Sequence, residues 1–285
     1  MDDSTLKRVA RELYYSAIDI KEKLLGQRDE FTPPKKLRAF IGIKGKKDFK
    51  IVGEEFFKYF VELGGLKPYE RVLDVGCGIG RMAVPLTRYL NEKGSYEGFD
   101  VWAEGINWAA KNITPKFPNF HFKFVDVQNK GYNPKGKLRA AEFKFPYENE
   151  SFDFVFLTSV FTHMLPKDLE NYLSEIARAM KTSGRCLITF FLLDEKSTKL
   201  VEAKKNTMDF KYKIADGLRT IDDKQPENAV AYGENIVRIL YEKYGLIIAE
   251  PIRYGCWSGR KKCLSAQDIV IAHKHYEVKT NKTNC

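Results

Sequence analysis

The 285-residue chain lacks any apolar run near the roughly eighteen residues that a membrane-crossing helix needs, and no apolar leader follows its charged start, MDDSTLKR. These absences argue against a helical membrane protein and set a cytoplasmic location as the expectation. Cysteine is sparse. Cys77, Cys186, Cys256, Cys263 and Cys285 form no CxxC pair and no zinc-type spacing, and their odd number suits free thiols in a reducing compartment. No resident metal is expected. Compositional bias is missing too: with 44% hydrophobic, 30% charged and 13% aromatic residues, the chain is neither disordered nor fibrous and is long enough to bury a substantial core. The formal net charge is +10, but blocks of one sign are absent. The short pairs Lys35 and Lys36, Lys46 and Lys47, Lys204 and Lys205, and Lys261 and Lys262 lie in expected loops, and charges of both signs are interleaved along most of the chain, so a solvated surface explains them and a nucleic-acid partner is not expected.

What is present centres on RVLDVGCGIGR, Arg71 to Arg81. Val72, Leu73 and Val75 read as a buried strand, and Gly76, Gly78 and Gly80 let the chain turn sharply so that backbone N–H groups approach a ligand. A dinucleotide fingerprint needs its third glycine at position 81, where this chain has arginine. Strands and helices alternate after Arg71, which predicts a parallel sheet with right-handed crossovers. The strands are expected at Arg71 to Val75, Ser95 to Phe99, Phe120 to Val125, Phe152 to Leu157 and Arg185 to Leu192, with a clear amphipathic helix from Leu169 to Met180. Leu246 to Arg253 and Gln267 to Ala272 are too close in sequence for a helical crossover and should pair antiparallel.

Upstream, Leu6, Ala10, Leu13, Ala17, Ile20 and Leu24 recur at helical spacing, which predicts an amphipathic helix stopped near Gly26 and packed on the main sheet, with a lid over the site or a contact to another subunit as the alternative. Phe31 to Gly53 reads as an irregular connection, and Glu54 to Leu66 as a helix leading into the first strand. The resulting organisation is an N-terminal helix and connection over 1–52, a main domain over 53–275 with insertions at about 128–147 and 194–232, and a tail over 276–285. Both insertions leave the carboxyl ends of strands, where open α/β sheets bind ligands.

The glycine turn, followed by Phe99 and Asp100 and by VDV at Val125 to Val127, resembles the class I S-adenosylmethionine (SAM) dependent methyltransferases. The resemblance implies an α/β fold with a doubly wound, seven-stranded, mostly parallel sheet whose last strand is antiparallel, and it implies SAM as cofactor. It places Asp74, Gly76, Cys77, Gly78 and Gly80 against the amino-acid and ribose part of SAM, Asp100 on the ribose hydroxyls, Val101 and Trp102 beside the adenine, and Asp126 and Val127 on its polar edge. Thr158 and Ser159, after the fourth strand, then stand near the methyl donor. His163 is the group of suitable titration range for taking a proton from an acceptor, with substrate orientation and a structural role as the alternatives. Tyr132, Tyr254, Trp257 and Arg260 are candidates to line an acceptor pocket.

Motifs that would name the acceptor are missing. No (D/N)PP(Y/F) follows the fourth strand and no Pro-Cys pair occurs, which disfavours transfer to base amino groups and to cytosine carbon. The expected activity is methyl transfer to oxygen of a small-molecule or glycan-like acceptor. A nucleic-acid methyltransferase, an NAD(P)-dependent oxidoreductase and a non-catalytic SAM-binding protein remain the alternatives, and the oligomeric state is open.

Overall fold

The structure, a computed structural model, describes residues 3–26, 28–41 and 46–275. The expected tail, 276–285 with Cys285, lies outside the described residues. In chain order the elements are α1 (Asp3–Leu24), α2 (Lys35–Phe40), α3 (Lys46–Glu62), β1 (Arg71–Val75), α4 (Ala83–Leu86), β2 (Ser95–Asp100), α5 (Ala103–Asn112) and β3 (Phe120–Phe124). They continue as β4 (Phe152–Leu157), α6 (Pro166–Ala179), β5 (Met180–Phe190), β6 (Leu192–Leu193), α7 (Glu195–Glu202), β7 (Tyr212–Ala215), β8 (Leu218–Thr220) and β9 (Val230–Gly233). The chain closes with α8 (Glu234–Lys243), β10 (Leu246–Ile248) and β11 (Asp268–Lys274).

Seven strands form one sheet in the order β10-β11-β5-β4-β1-β2-β3. β1 pairs parallel with β4, β4 with β5, and β2 with β3, whereas β11 runs antiparallel to both β5 and β10. The apolar runs FDFVFL and RVLDV explain the centre: nearly every residue of β4 and β1 is buried, as strands covered on both faces require. The strand expected from Arg185 begins five residues earlier, at Met180, because Phe152 of β4 pairs with Met180 before a register shift. The chain forms two compact units, Met1–Glu70 with Gly76–Pro134, and Arg71–Val75 with Lys135–Cys285.

In the first unit the N-terminal helix forms, but its seam does not pack as expected. Leu13, Ile20 and Leu24 of α1 are 66%, 60% and 82% exposed. Polar bonds tie α1 to the next helix instead: Asp19 Oδ1 accepts from the backbone N–H of Lys35 at 2.7 Å, and Glu22 pairs with the fully buried Arg38 at 2.7 Å. That tertiary cap on α2 is why Phe31 to Gly53 is not wholly irregular, since a six-residue helix has little stability of its own. Helix α3 likewise starts earlier than the expected Glu54.

In the second unit the 194–232 insertion is ordered. Its strands join β6 in a small sheet of order β6-β9-β8-β7, and Asp194 and Ser197 cap α7 reciprocally. Phe191, Val201, Phe210, Ala229, Ala231 and Trp257 form its core.

Candidate active site

The first unit carries the glycine turn. Gly76, Gly78 and Gly80 all take positive φ, at 84°, 55° and 73°, a conformation that a side chain would strain. The backbone N–H groups of Gly76 and Cys77 both reach Phe99 O, at 2.9 and 3.1 Å, which fastens the turn to the end of β2. Asp100 follows directly. Its Oδ2 accepts from Gly78 N and its Oδ1 from Trp102 N, each at 2.8 Å, so the carboxylate is held in one orientation. Burial pushes this carboxyl above the usual carboxylate range, against the pull of the backbone donors of Trp102, Gly78 and Val101. Each oxygen keeps a lone pair that can accept from a ribose hydroxyl. Open space lies above the Gly78 α-carbon, where an added Cβ would meet nothing within 4 Å. The N–H groups of Gly76, Cys77, Gly78 and Gly80 are all bonded within the fold, so what the turn offers an adenosine-bearing cofactor is the open space above Gly78 beside the oriented Asp100 carboxylate.

Trp102 is 5% exposed and packs with Leu37, Phe49 and Ile79. Phe40 of α2 stacks on its ring at a centroid distance of 4.7 Å, and Tyr132 stands 6.3 Å away. Tyr132 therefore sits on the Asp100 side of the fold. Asp126 Oδ1 accepts from Asn133 Nδ2 at 3.1 Å, and the same amide reaches Val127 O at 3.2 Å. Asp74, fully buried in β1, and Thr158, the residue after β4, belong to the second unit.

In the second unit His163 opens onto a cavity of about 360 Å³. Phe191, Met208, Ala229, Trp257 and Ala266 give it apolar walls, and Thr207, Asn228, Gln267 and His163 are its polar side chains along with the sulfur of Cys256. Among the described residues no carboxylate, ammonium or guanidinium lines it. His163 Nδ1 lies 3.0 Å from the backbone oxygen of Glu227. A carbonyl only accepts, so Nδ1 carries the hydrogen, and in the neutral ring Nε2 keeps a lone pair. Ser159, at φ 59°, donates its N–H to Thr189 Oγ1 at 2.7 Å, and its hydroxyl accepts from Gln267 Nε2 at 3.0 Å.

Of the other acceptor candidates, Trp257 lines the cavity whereas Tyr254 and Arg260 brace it. The Tyr254 hydroxyl bonds Glu234 at 2.7 Å, and Arg260 lies 4.3 Å over the Tyr254 ring while pairing with Asp194 at 2.6 Å. Behind Trp257 sits Asp268, wholly buried, accepting from Gly255 N at 2.5 Å, Leu192 N at 2.6 Å and Trp257 Nε1 at 2.7 Å. One carboxylate thus joins β6, the 255–257 loop and β11.

The cysteines correct the sequence reading. Cys256 and Cys263 are joined in a disulfide, their Cα atoms 5.3 Å apart, while Cys77 and Cys186 are buried thiols. Spacing of seven belongs to no motif, and the pair meets because the loop doubles back, with Cys256 N donating to Ser265 O at 2.9 Å. The thiols therefore lend no support to a reducing compartment. Among the described residues no cluster of His, Cys, Asp and Glu is arranged to hold a metal, and no helix is long and apolar enough to cross a membrane. Phe40, Thr189, Met208 and Asp268 had no sequence signal, because each acquires its place from a remote segment.

Comparison with known proteins agrees with this geometry. Residues 73–188 match the methyltransferase domain family. A probable cobalt-precorrin-6B C(15)-methyltransferase (decarboxylating) of Thermoplasma acidophilum is 34% identical over 64 residues, 22% of this chain and 32% of that protein. Phosphoethanolamine N-methyltransferase 2 of Caenorhabditis elegans is 27% identical over 138 residues, 48% of this chain and 28% of that protein. These matches span about a third of each relative. A SAM-dependent methyltransferase structure from Methanosarcina mazei aligns over 76% of this chain and 98% of its own, at 20% identity and a TM-score of 0.50, which speaks for the fold. The glycine turn, the aspartate that ends β2 and the seven-stranded sheet thus accompany a match of residues 73–188 to the methyltransferase domain family.

Proposed function

We propose that the protein transfers a methyl group from SAM to the oxygen of a small, neutral acceptor with an apolar body. The observation that carries this is the uncharged, mainly apolar cavity on which His163 opens. A phosphate-bearing acceptor calls for arginine or lysine, and an ammonium for a carboxylate; the cavity has neither. A sugar needs many hydrogen-bonding groups, so the lining favours a small molecule over a glycan.

Asp100 and the Gly76–Gly80 turn would hold the ribose and amino-acid parts of the cofactor, with Asp126 and Val127 of the same unit completing that set. When bound, SAM supplies an electrophilic methyl group on a sulfonium. The chain's own residues align the acceptor and exclude water, which can account for much of the acceleration of a displacement reaction. The acceptor O–H must lose its proton as the new O–C bond forms. His163 Nε2 receives it, while the bond from Nδ1 to the Glu227 carbonyl keeps the ring in the tautomer able to do so. Ser159 and Gln267, already bonded to each other, orient the acceptor.

Incubation with methyl-labelled SAM and a panel of neutral hydroxyl, amine and phosphate compounds should label apolar alcohols or phenols. His163→Ala should lower turnover about a hundredfold with SAM affinity nearly unchanged. The wild-type rate should climb with pH on one ionisation that disappears in the variant. Retained turnover with a raised KM would assign His163 to acceptor binding, and labelling confined to amines or phosphates would reject the reading.

A further inference from the structure

The N-terminal segment lies outside the matched domain, yet one of its side chains stands at the cofactor end of the first unit. Phe40 closes α2 and is 51% exposed, and Tyr132 is 43% exposed. The two rings meet edge to face at 5.5 Å, and Phe40 rests on Trp102, two residues after Asp100. Trp102 itself is not open to a ligand. Its ring is so close to Gly105 that an added Cβ there would lie 2.5 Å from Cε3, and Leu37, Phe49 and Ile79 enclose it further. The aromatic surface left facing outward is that of Phe40 and Tyr132. Asp100 is near enough for its charge to raise the Tyr132 phenol, together with the larger effect of burial.

Large exposed rings fixed beside an oriented carboxylate have a use if a flat ligand covers them. Their setting is firm. Asp19 holds the start of α2, Arg38 is buried against Glu22 and the Pro33 carbonyl, and Leu37 is in the core, so Phe40 does not depend on a loop for its position. We infer that Phe40 and Tyr132 are the wall against which the purine of the cofactor packs, with Trp102 as its buried backing, and that the N-terminal segment therefore completes the cofactor pocket. This rests on the SAM reading above.

Calorimetry with S-adenosylhomocysteine and with 5′-methylthioadenosine, which keeps the purine and ribose but lacks the amino-acid tail, tests it. Phe40→Ala should weaken both about tenfold, since the lost contact is to the part they share. Phe40→Tyr should restore binding, and Tyr132→Leu should weaken both ligands as well. Because Phe40 is half exposed, Phe40→Ala should keep the wild-type melting temperature within a few degrees. Wild-type protein that binds both ligands while Phe40→Ala binds them within twofold of wild type would overturn the inference and leave the SAM reading intact. Wild-type protein that binds neither would overturn both.

Discussion

Asp268 binds a proton more tightly in the fold than in the unfolded chain. Burial pushes its carboxyl up to about 6, although the N–H groups of Gly255, Leu192 and Trp257 and the charge of Arg260 all pull the other way. For an acid raised on folding, the stabilising contribution is complete below the unfolded pKa near 4 and is lost as pH rises through the folded value. Unfolding free energy should fall by about 3 kcal/mol from this group between about pH 4 and pH 7. Asp268→Asn should flatten that slope, at a cost in stability throughout, because its amide NH₂ would face N–H donors. Denaturant titrations at a series of pH values check this, and parallel curves for the two proteins would contradict it. The role of Asp268 has no signature in sequence. An aspartate opening an apolar strand reads as a turn residue until the loop carrying Trp257 and the start of β6 are placed around it.

Among the elements, the 255–268 loop is the one whose organisation matters most to the cavity. Its disulfide closes a small ring, Asp268 anchors its Trp257, and the Trp257 carbonyl accepts from both the N–H and the hydroxyl of Thr207 in the insertion. A short loop closed by a disulfide is worth about 2 kcal/mol through the unfolded state. For a protein of this size that is about 5 °C of melting temperature. Reductant, or Cys263→Ser without it, should lower the melting temperature by that amount, and the two treatments should not add. An unchanged transition in both would mean that the cysteines are not bonded in solution. The insertion was legible as an excess of chain at the carboxyl end of a strand, but its small sheet was not, because β6 and β9 pair across some forty residues.

At the scale of the molecule the net charge of +10 is the property most open to misreading. Its lysines are met by many surface partners, among them Lys36 with Glu104, Lys116 with Glu30, Lys181 with Asp153 and Lys243 with Glu170. Such pairs contribute little to stability, but they break up the one-sign field that phosphate backbones need. Binding to DNA or RNA should be weak, indifferent to sequence and steeply reduced by salt. Nanomolar, sequence-selective binding at physiological salt in a filter or anisotropy assay would contradict this.

What the amino-acid order determined alone is what depends on neighbours a few residues apart. The buried runs of β1 and β4, the three glycines at positive φ, the acid at the end of β2 and the antiparallel return of β10 and β11 follow from periodicity, backbone sterics and connection length. The tertiary structure decided everything that joins distant segments. It set Phe40 on Trp102 and Asp194 on Arg260, bonded Cys256 to Cys263, and left Leu13, Ile20 and Leu24 of α1 exposed although their spacing suits burial. Local sequence sets which face of an element is apolar. Which surface covers that face depends on the packing of the whole chain, and so the glycine turn and Asp100 were readable from the β1–β2 motifs while the cavity beside His163 became visible only in the fold.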